Sequence, residues 1–331
     1  MNVSKFTKYS HLADQALSQG TISAEDKLRI LDDPDIELLP LLWAAYEVRF
    51  HYFKNNVRIH IIDNVQSGLC SEDCAYCAQS KNATHEDAAY PMKSEELILK
   101  EAEQAYKAGA FRHCMVFSGR DVGKNRIHKI CEVVKKIKAL YSMEICVSAG
   151  MLTPEEARLL VEAGVNRYNH NLNTSQRAYP KICTTHQYVR RVETIHRARS
   201  AGLDICSGVI IGMEESSKDI LDMTSELAEV KADSVPVNFF MPIPGHRIKN
   251  PRKLTPGYCL KVLCLFRLAM PKTELRVAGG REMHLRSLQS FALYPANSLF
   301  ANGYLTTGGD SVEATKKLID DLGFDIERID Y

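Results

Sequence analysis

Short β-type apolar runs alternate with amphipathic helical segments along most of the chain. Eight such runs begin at Val57, and they span 57–63, 112–118, 143–148, 167–172, 203–211, 234–240, 274–279 and 297–303. Between them, apolar residues recur with a helical period at 94–108, 124–140, 153–163, 186–200, 216–230, 255–269 and 284–292. Eight strands that alternate with helices predict an α/β fold, a (βα)8 TIM barrel built on parallel strands.

The segments before and after the alternating strands and helices have the sequence pattern of helices, without predicted strands. Ser23 is a typical N-cap residue, with Glu25 and Asp26 in the first turn that follows, and apolar residues recur at helical spacing over 37–53. Near the other end, 312–322 is again amphipathic. We therefore expect an N-terminal helical extension at 1–55, a barrel at 56–308, and a C-terminal helix and tail at 309–331.

Composition narrows the class of protein. The chain has 331 residues, 45% hydrophobic and 25% charged, with a net charge of +1, which gives no sign of nucleic-acid binding. No apolar stretch is long enough for a membrane span, and the first residues lack the apolar core of a secretory leader. We expect a cytoplasmic protein, where ten cysteines favour metal binding or catalysis over disulfides.

Three of these cysteines lie together directly after the first predicted strand. Cys70, Cys74 and Cys77 have the spacing C-x3-C-x2-C within the segment GLCSEDCAYCAQS. Structural zinc sites usually have four ligands, whereas an iron–sulfur cube held by three thiolates leaves one iron free for another ligand. The spacing favours a cluster over zinc. In a barrel this loop would lie at the C-terminal mouth, where barrel enzymes do their chemistry.

Several strands carry polar or soft residues at positions that should face the barrel interior. These positions are Arg112 and Cys114, Cys146, Asn169, Asn171 and Asn173, Cys206 with Gly208, Ile210 and Gly212, Asn238, and Arg276. A single buried cysteine or amide is often only a packing residue. Three strands that each give one cysteine, together with a buried arginine, instead predict a second metal cluster inside the barrel.

The other cysteines predict packing. Cys131, Cys259 and Cys264 fall among apolar residues of helical segments, so we expect them in the core. Cys183 lies in the segment KICTTH after the fourth strand, where packing is the favoured interpretation and a place near the mouth is the alternative.

These motifs resemble a known family. The cysteine triplet, with Tyr76 before its last member, is similar to the signature of radical S-adenosylmethionine (SAM) enzymes. The segments YNHNLNTS, CSGVIIGMEE, DSVPVNF and RVAGGRE together resemble the biotin synthases, from about Ile30 to the end of the chain. The resemblance implies a homodimer of (βα)8 barrels that inserts sulfur into dethiobiotin to give biotin, a sulfurtransferase reaction.

The resemblance also implies two clusters. Cys70, Cys74 and Cys77 would hold a 4Fe–4S cluster that binds SAM. A 2Fe–2S cluster thought to supply the sulfur would be held by Cys114, Cys146, Cys206 and Arg276. Arginine is an unusual ligand because it is normally protonated.

The remaining site residues follow from the same resemblance. Asn169, Asn171 and Asn238 match positions that contact the ureido ring or the SAM ribose, and Arg191 matches a contact to the SAM carboxylate. Tyr76 and the segment Gly208, Ile210 and Gly212 match the adenine surface. Asn173 stands where some members have Asp, and an uncharged amide can still bond a ribose hydroxyl.

The expected partners are dethiobiotin, an electron donor such as flavodoxin or ferredoxin, and iron–sulfur assembly proteins. Two alternatives stay open. One is another radical SAM enzyme on the same barrel, lipoyl synthase-like or maturase-like, and the other is a non-catalytic zinc-binding protein. The sulfur-insertion function is favoured over both alternatives by the four residues Cys114, Cys146, Cys206 and Arg276.

Overall fold

Parallel strands close into a barrel in the computed structural model, which describes residues 4–68, 70–83, 89–243 and 245–329. The strands are β1 (Asn56–Gln66), β2 (Arg112–Phe117), β3 (Glu144–Ser148), β4 (Arg167–Asn169), β5 (Asp204–Cys206), β6 (Val209–Ile211), β7 (Ser234–Phe239), β8 (Glu274–Val277), β9 (Ser298–Ala301) and β10 (Asp325–Ile326). Strands β1 to β5 and β7 to β9 pair in that order, and β9 pairs with β1 to close the barrel. The predicted eight-stranded fold is confirmed.

The fifth predicted strand is interrupted in its middle. Strand β5 pairs with β7 at Cys206 and Ser234, and β6 pairs with β7 from Val209 and Val237 onward, so one register continues across the gap. Pro236 lies opposite the gap and has no N–H to donate. A Cβ on Gly208 would lie 2.1 Å from the Pro236 carbonyl oxygen, so the two backbones approach too closely for any other residue.

Helices surround the barrel, and most begin where the sequence predicts. They are α1 (Ser4–Gln19), α2 (Ala24–Asp32), α3 (Leu38–Phe53), α4 (Glu95–Lys107), α5 (Lys124–Leu140), α6 (Pro154–Glu162), α7 (Tyr179–Ile182), α8 (Tyr188–Ala201), α9 (Ser217–Glu229), α10 (Pro256–Ala269), α11 (Arg281–Leu285) and α12 (Val312–Asp320). The Ser23 hydroxyl accepts from the Asp26 N–H at 3.0 Å, as its N-cap role requires.

Two predicted elements differ in the structure. The segment 284–292 is not one helix, because α11 ends at Leu285, Arg286 has a φ of 52°, and a 3-10 helix follows at Arg286–Leu293. The fourth strand ends at Asn169 instead of continuing to Leu172, so the side chains beyond it do not alternate as in a strand. No helix of the described residues is both long and apolar enough to cross a bilayer.

The terminal segments pack on the barrel. Helix α3 buries Leu41, Leu42 and Val48 and packs against α10 and α1. Strand β10 pairs with the start of β1, and Arg58 of β1 donates to Glu327 beyond β10 through Nε at 3.0 Å and Nη2 at 2.7 Å. The predicted division into three parts at 55/56 and 308/309 stays a prediction, and residues 1–3, 330 and 331 of its outer parts lie outside the described residues.

The apolar core lies between the barrel and its helices. It contains Val57, Ile59 and Ile145 from the strands and apolar residues from all the larger helices. Cys114, Cys146 and Cys206 form a separate buried group, against which Ile62 and Phe300 pack. The barrel interior is therefore lined by residues unlike those of the surrounding core.

Candidate active site

Three thiols from neighbouring strands meet inside the barrel. Cys114 of β2 is directly paired with Cys146 of β3, and Cys206 of β5 lies beyond β4. All three are at least 94% buried, since their exposed fractions are 6%, 2% and 1%. The strand period of two puts each of them on the inner face. The sequence prediction that these cysteines come together is therefore matched by their positions.

Arg276 of β8 completes this group. Its Nη1 lies 3.7 Å from the sulfur of Cys206, and its side chain is 1% exposed. Burial alone would lower the pKa of Arg276, but the charges of Cys206 and Glu274 outweigh burial and raise it. A hydrogen bond from Cys146 and the Arg276 charge lower the pKa of Cys206 against the effect of burial. The thiolate form is therefore favoured at Cys206, beside the charged guanidinium, whereas hydrogen bonds with Cys114 and Cys206 and burial raise the pKa of Cys146.

The second cysteine group lies in the loop after β1, at the mouth of the barrel. Backbone hydrogen bonds fix this loop to its neighbours: the Ala75 N–H donates to Ile182 O, and the Arg247 N–H donates to Ala75 O, both at 2.8 Å. Cys70, Cys74 and Cys77 all face one cavity. Leu69, which belongs to the same sequence motif, lies outside the described residues.

Two buried carboxylates anchor the loop from behind. Asp73 accepts from the Thr184 N–H at 2.9 Å and the Thr185 N–H at 3.2 Å, and these bonds lower the pKa of Asp73 although burial opposes them. Glu72 pairs with Arg120 and with His186, and it accepts from the Thr185 hydroxyl at 2.6 Å. The loop is thus held without using its cysteines.

Cys183, for which the sequence favoured packing over a place near the mouth, is buried and also lies next to the cysteine loop. It is buried in the core, and its sulfur accepts from the Cys74 thiol at 3.9 Å. Glu72, Cys183 and His186 place ligand atoms within 4.8 Å of one another. Arg120 and Thr185 already bind Glu72, and Tyr179 lies 2.7 Å from His186 Nε2, so these residues form a hydrogen-bonded network behind Cys74.

The residues matched to SAM contacts line one wall of the cavity. Asn173 Nδ2 donates to the Tyr76 hydroxyl at 2.6 Å, and the Ile210 N–H donates to Asn173 O at 2.8 Å. Gly212 has a φ of +106°, which lets the chain turn at the end of β6. These contacts hold Tyr76, Asn173 and the β6 segment together as one surface.

Arg191 is fixed at the same wall. Its Nη1 donates to the backbone oxygen of Asn171 at 2.9 Å, and its Nε donates to the Tyr179 hydroxyl. Burial alone would lower the pKa of Arg191, but nearby Tyr and Cys groups raise it, so the guanidinium stays charged. It faces the cavity and suits a carboxylate ligand.

The three amides matched to substrate contacts differ in how much of their hydrogen-bonding capacity is used. Asn171 Oδ1 accepts from the Gly208 N–H at 2.9 Å. Asn238 donates to Val209 O at 3.1 Å and accepts from the Gly279 N–H at 3.0 Å. Asn169 Oδ1 is buried without a hydrogen-bond partner among the described residues. An orphaned acceptor inside a cavity is costly unless a ligand satisfies it.

A single cavity of about 400 Å³ joins both cysteine groups. Cys70, Cys74 and Cys77 line it at the mouth, and Cys114, Cys146, Cys206 and Arg276 line it at depth. All three matched amides, Tyr76, Asn173, Arg191 and Ile210 also face it. Gly208 and Gly212 are not among the residues that line this cavity. They flank β6, whose Ile210 does line it.

Sequence reasoning missed several buried polar residues. Glu274 and His60 lie beside Arg276 at the inner end of the cavity, and Glu215 binds the backbone after β6. His170 faces the cavity, although strand alternation placed it on the other side from Asn169 and Asn171. The signal that could have found Glu274 is its spacing of two from Arg276, which puts both on the same face of β8.

Solved structures support the fold. The chain superposes on methylornithine synthase with a TM-score of 0.80 at 20% identity, over 96% of this chain and 97% of that one. It superposes on a maturase of the [FeFe]-hydrogenase with a TM-score of 0.81 at 16% identity, over 100% of this chain and 80% of that one. At such low identity these likenesses establish the shared barrel alone.

Sequence relatives are much more similar. Residues 65–227 match the Radical SAM superfamily, and residues 236–325 match the Biotin and Thiamin Synthesis associated domain. A biotin synthase from Magnetococcus marinus is 50% identical over 96% of this chain and 99% of its own length. One from Bacillus subtilis is 42% identical over 98% of this chain and 96% of its own. With this degree of identity over nearly the whole chain, the protein belongs to the biotin synthase family of radical SAM sulfurtransferases.

Proposed function

We propose that this chain inserts sulfur into dethiobiotin within the cavity that joins its two cysteine groups. The observation that carries the proposal is the presence of two separate thiol groups on one cavity, a triplet at the mouth and three thiols with Arg276 at depth. Another enzyme of the same barrel would not need Cys114, Cys146, Cys206 and Arg276 together on separate strands. A zinc-binding protein would need a closed set of four ligands instead.

The residues present fit the cofactors that the family implies. Cys70, Cys74 and Cys77 would hold the 4Fe–4S cluster, because three thiolates leave one iron for SAM. Cys114, Cys146, Cys206 and Arg276 would hold the 2Fe–2S cluster, since buried soft sulfur suits iron. When bound, the first cluster and SAM supply radical chemistry at unactivated C–H bonds, and the second cluster supplies sulfur.

The chain itself binds and orients the reactants. The free acceptor of Asn169 suits an N–H of the neutral ureido ring, and Asn171 and Asn238 retain further amide capacity beside it. Arg191 suits the SAM carboxylate, and the surface of Tyr76, Asn173 and β6 suits its nucleoside. Burial keeps water away from reactive intermediates. These roles place dethiobiotin between SAM and the inner thiols.

The partners follow from the same proposal. A one-electron donor such as flavodoxin or ferredoxin would supply reducing equivalents, and iron–sulfur assembly proteins would load the clusters. All ten cysteines are free, which fits a reducing cytoplasm. A second copy of the chain would complete a homodimer, for which helix α3 offers an exposed apolar stripe of Leu39, Trp43 and Phe50.

The test is an anaerobic assay on protein reconstituted with iron and sulfide. It would contain SAM, dethiobiotin and a strong reductant, with 5′-deoxyadenosine and biotin measured by mass spectrometry. We expect biotin with about two deoxyadenosines per product, because two C–H bonds must break. Deoxyadenosine without biotin would contradict the assignment of dethiobiotin as the substrate. The absence of both products, from a protein that contains zinc, would contradict the radical chemistry.

A pair of variants separates the two cysteine groups. Cys114→Ser should retain SAM binding and lose biotin formation. Cys131→Ser is the matched control, since Cys131 is also buried but lies on α5, away from the cavity. Normal biotin formation by Cys114→Ser would contradict the role of the inner thiols.

A further inference from the structure

A buried carboxylate, Glu274, lies beneath Arg276 among several positive charges. Glu274 is the first residue of β8, and its side chain is 3% exposed. Its oxygens are shared by groups from six strands, its own strand β8 included. The partners are Arg276 Nη2 at 2.6 Å, Ser234 Oγ at 3.0 Å, His60 Nε2 at 3.1 Å, Arg58, Arg112 and Arg167 through Nη1 at 3.2 Å, and Ser298 Oγ at 3.3 Å.

These contacts fix the orientation of Arg276. Its Nη2 is held by Glu274 at 2.6 Å and by the Ser234 hydroxyl at 3.0 Å. A guanidinium is planar, so fixing one terminal nitrogen fixes the direction of the other. The other nitrogen, Nη1, lies 3.7 Å from Cys206 sulfur. Loss of the Glu274 and Ser234 contacts would leave Nη2 with His60 Nε2, at 3.3 Å, as its remaining hydrogen-bonding neighbour among the described residues.

Glu274 also balances the charge beneath the thiols. Arg112, Arg167 and Arg276 are at most 5% exposed and all contact this one carboxylate. Glu144 and Asp204 reach Arg112 and Arg167 from the rim, but both are more exposed. Loss of the central negative charge would leave three buried cations facing one another, which is strongly unfavourable.

His60 fits the same arrangement as a neutral ring. Burial and the charge of Arg276 hold the pKa of His60 well below its usual range. Its Nδ1 lies 3.3 Å from Arg112 Nη1, and its Nε2 lies 3.1 Å from Glu274 and 3.3 Å from Arg276 Nη2. The ring thereby spaces the two guanidiniums without adding positive charge.

We propose that Glu274 is a positioning residue for Arg276. It directs Arg276 Nη1 toward the inner thiols, and it neutralises part of the positive charge that lies beneath these thiols. The role rests on the proposed function, because it acts through the residues assigned there to the 2Fe–2S cluster. Glu274 touches neither the thiols nor the cavity wall residues matched to substrate, so its effect passes through Arg276.

The test compares Glu274→Gln with a matched control, Asp63→Asn. Both changes neutralise a buried carboxylate on a barrel strand, but Asp63 faces the helices, where it pairs with Lys93 at 2.8 Å. Each variant, reconstituted with both clusters, would be examined by visible circular dichroism and resonance Raman for the 2Fe–2S cluster. The paramagnetic resonance signal of the reduced 4Fe–4S cluster with SAM serves as an internal reference.

We expect Glu274→Gln to change the 2Fe–2S spectrum and to shorten the lifetime of that cluster under reductant about tenfold, because residues that orient metal ligands typically contribute 10–100-fold to metal affinity. The 4Fe–4S signal should stay unchanged, and Asp63→Asn should keep both signals. A wild-type 2Fe–2S spectrum and lifetime in Glu274→Gln would overturn the role. The same spectral change in Asp63→Asn would also overturn the role of Glu274, because neutralising any buried carboxylate would then be enough to alter the 2Fe–2S spectrum.

A second variant keeps the test decisive if Glu274→Gln does not fold. Ser234→Ala removes one anchor of Arg276 Nη2 and one hydroxyl donor to Glu274, but it leaves both charges in place, so we expect a smaller spectral change in the same direction. An unchanged spectrum in Ser234→Ala would overturn the positioning role. If the wild-type protein binds no second cluster, the cluster assignment itself is overturned. This result is obtained from the wild-type sample before any variant is compared, so the two failures are distinguishable.

Discussion

The carboxylate of Glu215 organises the backbone at the end of β6. It accepts from the Gly212 N–H through Oε1 and from the Met213 N–H through Oε2, both at 2.7 Å, and it is 5% exposed. Backbone groups near a bound nucleoside must themselves be held, since a loose wall loses affinity. One residue outside the cavity thus shapes the surface proposed for SAM.

Replacing Glu215 by Ala should leave both N–H groups without their partner. We expect the free energy of unfolding to fall by roughly 2–4 kcal/mol, the cost of two buried unpaired donors. Denaturant unfolding of the cluster-free protein measures this, with Glu229→Ala on the exposed end of α9 as the control. Equal stability of the two variants would contradict the bracing role.

Asn173 combines a backbone and a side-chain requirement. Its φ is 69°, a left-handed conformation that Asn and Asp tolerate and β-branched residues do not. Its amide donates to Tyr76 at 2.6 Å, and in Asn173→Asp the tyrosine hydroxyl can donate instead. We expect Asn173→Asp to keep SAM affinity within about tenfold of wild type, or ~1.4 kcal/mol.

Asn173→Val should behave differently, because it loses the hydrogen bond and strains the backbone by roughly 1–2 kcal/mol. Equilibrium dialysis of reconstituted protein gives the SAM affinity, and denaturant unfolding gives the stability. The interpretation fails if Asn173→Val matches Asn173→Asp in both measurements.

At the scale of elements, the split between β5 and β6 depends on one close contact. Gly208→Ala would put a Cβ 2.1 Å from the Pro236 carbonyl oxygen and 2.5 Å from its Cγ. We expect destabilisation by about 3 kcal/mol or more, as for severe overpacking. Pro236→Ala should not rescue it, because the carbonyl oxygen stays. Denaturant midpoints measure both effects.

Gly257→Ala is the matched control for this prediction. A Cβ on Gly257, near the start of α10, meets nothing within 4 Å, so we expect a neutral or slightly stabilising change of up to about 1 kcal/mol. Recovery of stability in the Gly208→Ala, Pro236→Ala double variant would show that the ring, and not the backbone, limits this position.

The contact between the barrel and α4 predicts a pH effect. Lys93 Nζ donates to Asp63 at 2.8 Å and to Glu101 at 2.6 Å. Burial, with a hydrogen bond to Asp63, raises the pKa of Glu101 to about 7. A raised pKa means that the folded state favours protonated Glu101, so this stabilisation is full below its ordinary pKa and is lost as pH rises through about 7.

Glu101→Gln should remove that dependence. We expect the stability of wild type, relative to Glu101→Gln, to fall between about pH 5 and pH 7.5, as measured by urea unfolding at several pH values. Glu103→Gln, on the same helix, is the control. Parallel pH profiles for wild type and Glu101→Gln would contradict the shifted pKa.

At the scale of the whole molecule, α3 leaves an apolar stripe uncovered. Leu39, Trp43 and Phe50 are 61%, 50% and 42% exposed and lie on one face of the helix. If a second copy covers them, Trp43→Glu should convert a dimer to a monomer with little loss of monomer stability. Light scattering measures the mass, and Leu140→Glu on α5 is the control. A dimeric Trp43→Glu variant would contradict this interface.

Local sequence patterns determined the elements and their order. The cap at Ser23, the period of the helices and the short apolar runs act over a few residues, so one chain suffices to predict them. The C-x3-C-x2-C loop was equally local. The three inner cysteines were predicted because strand alternation and barrel closure are regular.

The tertiary structure decided what depends on distance across the barrel. No local pattern sets Cys183 behind Cys74, Glu274 among arginines from three other strands, or Gly208 against Pro236. These contacts join residues from 28 positions apart, for Gly208 and Pro236, to 162 apart, for Arg112 and Glu274. Strand alternation predicted the inward-facing cysteines and Arg276, whereas closure of the barrel decided that His170 also faces the cavity and which side chains share a charge, a hydrogen bond or a cavity wall.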